Sequence, residues 1–228
     1  TTGSGYNYSV DWGDGNTSTG QTGDAMHTYS SPGIYSVSIT GTFPRIYFVK
    51  GVTTFSSKII DISKWGSNAW TSMKLAFDSC INLNISATDT PVLTGVSDMS
   101  YMFANCEKLN PTGAAATALN NWHTDNIRYM TGVFYKAAAF NQDIGNWNTA
   151  NVTKMEVMFA DDSVFNQDIG NWNTANVTDM QFMFLGDSTF NQDIGKWNTA
   201  KVVYMNEMFS FDIEFNQDIG HWNTANVT

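Results

Sequence analysis

The chain has 228 residues, an ordinary apolar content of 42%, few charged residues (14%) and a net charge of −10. That length holds one or two domains with a buried core, and the acidity argues against a nucleic-acid binder, which carries a basic face, and against docking on an anionic lipid surface. No apolar run reaches the roughly 18 residues of a transmembrane helix, and the opening TTGSGYNYSV lacks the basic and apolar regions of a signal peptide.

Residues 1–44 differ from the rest and read as a small β cap. Alternation over Tyr6–Asp11 and Tyr35–Ile39 predicts two strands, GDG at Gly13–Gly15 predicts a hairpin turn, and SPG at Ser31–Gly33 predicts another. Asp11 and Asp14 beside these glycines are a weak calcium candidate, since the spaced acids of an EF-hand are missing. A simple turn is the other reading. The stretch TFPRIYF, Thr42 to Phe48, leads into the second region, residues 45–228.

That region is repetitive. Trp122, Trp147, Trp172, Trp197 and Trp222 stand 25 residues apart; Met130, Met155, Met180 and Met205 follow the first four, and then Phe134, Phe159, Phe184 and Phe209. Trp65, Met73 and Phe77 extend the register upstream, as do Met99 and Phe103, although Pro91 stands where a Trp is due. Residues 110–118 are an insertion expected to bulge as a loop.

Each unit divides in two. QDI, or Ile60-Asp61-Ile62 in the first unit, alternates like a short strand, and VTKMEVMF carries Val152, Met155, Met158 and Phe159 at helical spacing. Thr149 or Asn151 is placed to cap that helix. A strand plus a short helix per 25 residues is the geometry of a leucine-rich repeat. The expectation is an α/β solenoid: a right-handed, leucine-rich-repeat-like stack of six to seven coils on a β cap, with equivalent residues about 4.8 Å apart along a parallel sheet.

Within that frame Asp61, Asp143, Asp168, Asp193 and Asp218 form an outward column on a concave sheet face. Two carboxylates about 5 Å apart repel by roughly 1 kcal/mol even in water, so either a ligand or neighbouring polar groups must offset the column. Gln142, Gln167, Gln192 and Gln217 occupy the inward slot of Ile60 and should pair as an amide ladder, because an unpaired buried amide is costly. The Trp column is a coil-corner core residue, or a sugar-stacking strip if exposed. The Thr column (Thr149, Thr174, Thr199, Thr224) suits capping better than ice binding. Cys80 and Cys106 sit at equivalent places in adjacent units, within disulfide reach, and equally suit a free buried core pair. His27, His123 and His221 are scattered, and no HExxH, GxSxG, P-loop or CxxC occurs, so no enzyme is expected and no cofactor beyond the calcium candidate.

The unit FNQDIGNWNTANVTDMQFMF resembles the BspA-like leucine-rich-repeat surface proteins of bacteria, the Mycoplasma-type surface-protein repeat. WGDG…HTY…GIYSV is similar to the PKD-type β-sandwich pattern. The resemblance implies a secreted or cell-surface bacterial protein used in adhesion, with a protein, extracellular matrix or glycan partner and no catalytic residues. A carbohydrate-binding module and a structural spacer are the rival readings. The missing Met at the start and the end inside a repeat suggest a piece of a longer protein. An open last coil should continue or associate end to end with another copy.

Overall fold

The computed structural model of the protein describes residues 4–48 and 53–228. The N-terminal part forms a three-stranded antiparallel sheet in the order β2-β1-β3, with β1 at Asn7–Asp11, β2 at Thr17–Gln21 and β3 at Ser38–Thr42. The GDG turn joins β1 to β2 as expected. The last strand lies three residues beyond its expected start, because it pairs Asn7 with Thr42 and Asp11 with Ser38. Tyr6, Tyr8 and Phe43 pack edge to face beneath the sheet, and Phe43 meets Trp70 of the repeat region. The backbone joins the two parts where Thr71 N–H donates to the Pro44 carbonyl at 2.9 Å and the Asn68 amide to that of Phe43 at 2.7 Å.

The α/β solenoid expected from sequence is not what forms. Among the described residues helix is confined to α1 at Thr53–Ser56 and α2 at Ala114–Asn120, neither of them in the 25-residue repeats. The QDI segments from Gln142 onward are not strands; only Asp61–Ile62 (β4) and Asn84–Ile85 (β5) pair, as a two-residue parallel sheet. There is thus no concave sheet face. Ile60 is 43% exposed, so its slot is not an inward one. The insertion does not bulge away: α2 buries Ala115, Ala118 and Leu119.

The reason lies in backbone dihedrals. Val157 and Asp161 have φ of 50° and 58°, Phe182 and Gly186 58° and 72°, and Glu207 and Phe211 54° and 65°. A left-handed residue at every fourth position cannot belong to an α-helix, whose residues are all right-handed. It closes successive turns instead: Val133 N–H donates to the Met130 carbonyl and Ala137 N–H to that of Phe134. The alternate N–H groups turn outward to the next unit. Those of Met130, Gly132, Phe134 and Lys136 donate to the carbonyls of Lys154, Glu156, Met158 and Ala160 at 2.9–3.0 Å. A turn every four residues keeps Met155, Met158 and Phe159 inward, the same pattern a helix would show.

Parallel pairing survives as single bridges, running Asp98, Tyr129, Lys154, Asp179, Tyr204, one residue per unit. The apolar columns of successive units form one continuous core. Phe159 stacks on Phe184 at 5.6 Å, Phe165 on Phe190 at 6.1 Å and Trp172 on Trp197 at 6.5 Å.

Candidate functional site

The aspartates of QDIG are exposed, as expected, and each has a local task. Oδ1 of Asp143, Asp168, Asp193 and Asp218 accepts the N–H of the glycine two residues on, at 2.8–3.0 Å. This Asp-x-Gly turn is one that Asp makes readily. It brings the chain round so that Trp147 N–H reaches the Ile144 carbonyl. Oδ2 of Asp143 also accepts from the Asn120 amide at 2.6 Å. Asp61 sits in β4 instead, where it accepts the Ser86 N–H and hydroxyl.

The remaining constant residues are spent on the unit before or after. An amide ladder exists, but its acceptor is the asparagine beside each glutamine. Asn141 Oδ1 accepts the Asn166 N–H at 3.0 Å and the Gln167 amide at 2.7 Å, and Asn166 and Asn191 repeat this for Gln192 and Gln217. Gln142 pairs with Asn110. Thr149, Thr174 and Thr199 are buried and donate their hydroxyls to carbonyls one unit ahead, not to a helix start. Asn151 and Asn176 donate one unit back, to Asp125 and Ala150. Trp147, Trp172 and Trp197 are buried and each indole N–H meets a carbonyl one unit back, so these three offer no sugar-stacking strip.

Asp11 Oδ1 accepts from Gly13 N–H and Asp14 Oδ1 from Asn16 N–H, while Asp14 Oδ2 lies 2.8 Å from His27 Nε2. Both carboxylates serve the hairpin, and among the described residues no group of three acidic, His or Cys side chains could hold a metal.

The other half of each unit behaves oppositely. Across 154–164, 179–189 and 204–214 the repeated inward residues are the two Met, the Phe and one Asp; nearly every outward residue changes. The residue before the first Met reads Asp98, Tyr129, Lys154, Asp179, Tyr204, and the residue after it Ser100, Thr131, Glu156, Gln181, Asn206. These changing side chains share one face, along the row of parallel bridges. Tyr129 and Tyr204 are 40% and 49% exposed there.

Two grooves cross this face. One, of about 270 Å³, is lined by Lys74, Asp98, Ser100, Tyr101, Tyr129, Thr131, Lys154 and Glu156. The second, of about 380 Å³, shares Tyr101 and is otherwise formed mainly by Tyr135, Val157, Ala160, Phe182 and Leu185. The Tyr101 ring lies on Gly132, whose left-handed φ of 58° and lack of a Cβ let the ring close down. The polar groove is charge-balanced. Lys74 pairs with Asp98 at 3.5 Å, and Lys154 pairs with Glu156 at 3.7 Å and with Asp179 at 3.4 Å. Its hydrogen bond with Asp179, then burial, holds the Glu156 carboxyl above the usual carboxylate range.

The cysteine pair read from the sequence belongs to a longer column, whose aspartates escaped sequence reasoning. Cys80 and Cys106 are free, buried and equivalent, and both thiols are pushed up chiefly by burial, Cys80 to about 12. Their slot, seven residues after each first Met, continues through Ala137 into Asp162, Asp187 and Asp212. Neither oxygen of Asp162 or Asp212, nor Oδ2 of Asp187, has a hydrogen-bond partner. Burial raises these carboxyls to about 9, 8 and 6 respectively. The recurring spacing was visible in the sequence, but nothing in it marks these aspartates as inward.

A family described as "Mycoplasma protein of unknown function, DUF285" matches residues 47–114, 111–186 and 167–228. The chain belongs to this family. It is a family of surface-protein repeats, in keeping with the resemblance read from FNQDIGNWNTA. The match covers the repeat region and leaves the N-terminal sheet unassigned. No curated protein and no solved structure matches the chain. No helix of the described residues is long and apolar enough to cross a membrane.

Proposed function

We propose that the chain is a non-enzymatic binding module of a surface protein, and that it meets a protein partner through the face bearing Tyr101, Tyr129, Lys154, Glu156 and Tyr204. The observation that carries this reading is the contrast between the halves of the repeat. Residues that stay the same from unit to unit are used up in holding the units together. Among the residues that change, Tyr129, Tyr204 and Asn206 are exposed and Lys154, Glu156 and Gln181 half-buried, while Ser100, Thr131 and Asp179 are buried, and the polar groove runs along this row. A ligand of periodic structure, such as a simple glycan, is best read by the same side chain in every unit. An aperiodic row suits an aperiodic surface, which is what a folded protein presents. Tyrosine supports the reading further, since its rigid amphipathic ring supplies contact area at low entropy cost, and hot spots are enriched in it.

The test compares two variants against extracellular-matrix and host-cell proteins. Tyr129→Ala with Glu156→Ala and Tyr204→Ala should weaken binding at least tenfold. Asp143→Asn, Asp168→Asn, Asp193→Asn and Asp218→Asn together should leave it within about threefold. The reverse pattern would transfer the role to the aspartate column, and glycan binding without protein binding would favour the carbohydrate reading.

A further inference from the structure

The second groove is largely apolar where the first is polar. Five residues after Met130, Met155 and Met180 stand Tyr135, Ala160 and Leu185. The small, buried Ala160 between two larger side chains leaves a notch, which Tyr101, Val157 and Phe182, all half-buried, help to wall. The next residues along are Lys136, Asp161 and Gly186, all with left-handed backbone, at φ of 58°, 58° and 72°. A Cβ on Gly186 would stand 2.9 Å from Asp161 Oδ1, so the glycine gives this carboxylate room to lie toward the next unit. Among the described residues that line this groove of about 380 Å³, Asp161 is the one charged group.

That carboxylate is loosely held. Its ionic partner, Lys136 Nζ, stays 3.9 Å from Oδ2, beyond hydrogen-bond length, and the two side chains are 49% and 48% exposed. An exposed pair of this kind is worth little and exchanges readily. The same ammonium stands 5.1 Å from the centre of the Tyr135 ring. Tyr135 foremost, and then Asp161, hold it above the ordinary lysine range. The edge of the groove therefore favours a positive charge, and the chain's own Lys136 marks where one sits.

The chemistry narrows the occupant. A neutral apolar group would cover the carboxylate and leave it unpaired, which is costly. An anion would meet Asp161 and a chain of net charge −10. Lysine carries a compact, strongly hydrated ammonium that gains little from a ring-lined slot. The flat guanidinium of arginine is more weakly hydrated, stacks on aromatic faces and offers a two-pronged fork to one carboxylate. We propose that this groove seats an arginine side chain of the protein partner, its stem along Val157 and Leu185 and its guanidinium between Tyr135 and Asp161, in exchange for Lys136. The source of that arginine rests on the reading of this face as a protein contact; the seat itself does not.

The test therefore uses no partner protein. N-acetyl-arginine methylamide is titrated into the whole chain while the methyl NMR signals of Val157 and Leu185 are followed. Both should shift and saturate at roughly millimolar probe. The citrulline counterpart, of the same shape without the charge, should bind about fivefold more weakly, the worth of one part-exposed ion pair. Asp161→Asn keeps a residue that visits the left-handed region routinely, and it should abolish the preference for arginine over citrulline. Lys136→Gln removes the resident cation and should tighten arginine binding. Equal binding of arginine and citrulline would overturn the proposal, as would a preference that survives Asp161→Asn, or methyl signals that never move. Should arginine bind as described while no protein depends on Tyr129, Glu156 and Tyr204, the seat stands and its assignment to a protein partner is overturned.

Discussion

Trp172 donates its indole N–H to the carbonyl oxygen of Ile144, 3.2 Å away and one repeat back, and Trp197 and Trp222 do the same to Ile169 and Ile194. The largest apolar side chain of each unit is therefore also a polar tie between units, and its two contributions can be separated. Trp172→Phe keeps a ring in the stack between Phe159 and Trp197 but removes one of the two donors to the Ile144 carbonyl, which keeps the Trp147 N–H, so it should cost about 0.5–1.5 kcal/mol, the net worth of one hydrogen bond. Trp172→Ala also opens a cavity and should cost about 3–5 kcal/mol. Urea unfolding of the three proteins gives the ranking. A Phe variant as stable as the parent would mean the bond contributes nothing.

The glycine of QDIG is required for a different reason. At Gly145 a Cβ would stand 2.8 Å from the Asp168 carbonyl oxygen, and at Gly170 closer still to that of Asp193. Backbone on both sides leaves nothing flexible to yield. Gly170→Ala should therefore cost about 1–3 kcal/mol, the usual range for overpacking. Gly220→Ala, where a Cβ would meet only the side-chain Oδ1 of Asp218 at 3.1 Å and no backbone, should cost less, within about 0.5 kcal/mol of the parent. Similar losses at the two sites would show that unit-to-unit approach is not what selects glycine.

These constant residues were the most legible part of the sequence. The 25-residue step, the anchoring Trp, the inward Met and Phe columns and the exposure of Asp143 all follow from pattern alone. Other features did not. Met155, Met158 and Phe159 have helical spacing, yet the chain turns at Val157 and Asp161, residues whose identity gives no hint of a left-handed backbone. Reading Gln142 as inward rested on Ile60, which is itself exposed. Asp-Ile-Gly was a readable turn signal that the strand assignment of QDI overrode. The changing outward residues were plain to see, but only the fold brings Tyr101, Tyr129 and Glu156 to one groove.

Val157 carries a φ of 50° in a β-branched residue, the type least suited to it. The left-handed region costs an L-residue roughly 1–2 kcal/mol, and the stacked hydrogen bonds to Gln181 and neighbours must offset that. Asn tolerates this region far better. Val157→Asn should raise stability by up to about 1 kcal/mol, less whatever packing Val157 contributes beside Phe182. Thermal unfolding measures it. A lowered Tm would mean that the side chain's contacts outweigh the backbone strain.

The buried column of Asp162, Asp187 and Asp212 sets how stability depends on pH. Asp162 and Asp187 face each other, Asp187 also faces Asp212 and the Thr189 hydroxyl and N–H, and Glu214 lies near Asp212. All three carboxyls titrate higher in the fold, at about 9, 8 and 6, than the ordinary 3.8 they regain on unfolding. Between those values the folded chain holds protons that the unfolded chain releases, so stability falls as pH rises. The contribution is complete below about pH 4; Asp212 loses its share by about pH 6, Asp187 by about 8 and Asp162 by about 9. A fully developed difference of one proton is worth about 1.4 kcal/mol per pH unit. Denaturant midpoints should therefore drop steadily from pH 5.5 to 8.5. Asp162→Asn with Asp187→Asn removes both late-titrating groups at nearly constant volume and should leave the curve close to flat above pH 6. A parent curve that instead rises toward pH 8 would mean these carboxylates are ionised and paired, and the inward slot would have to be redrawn.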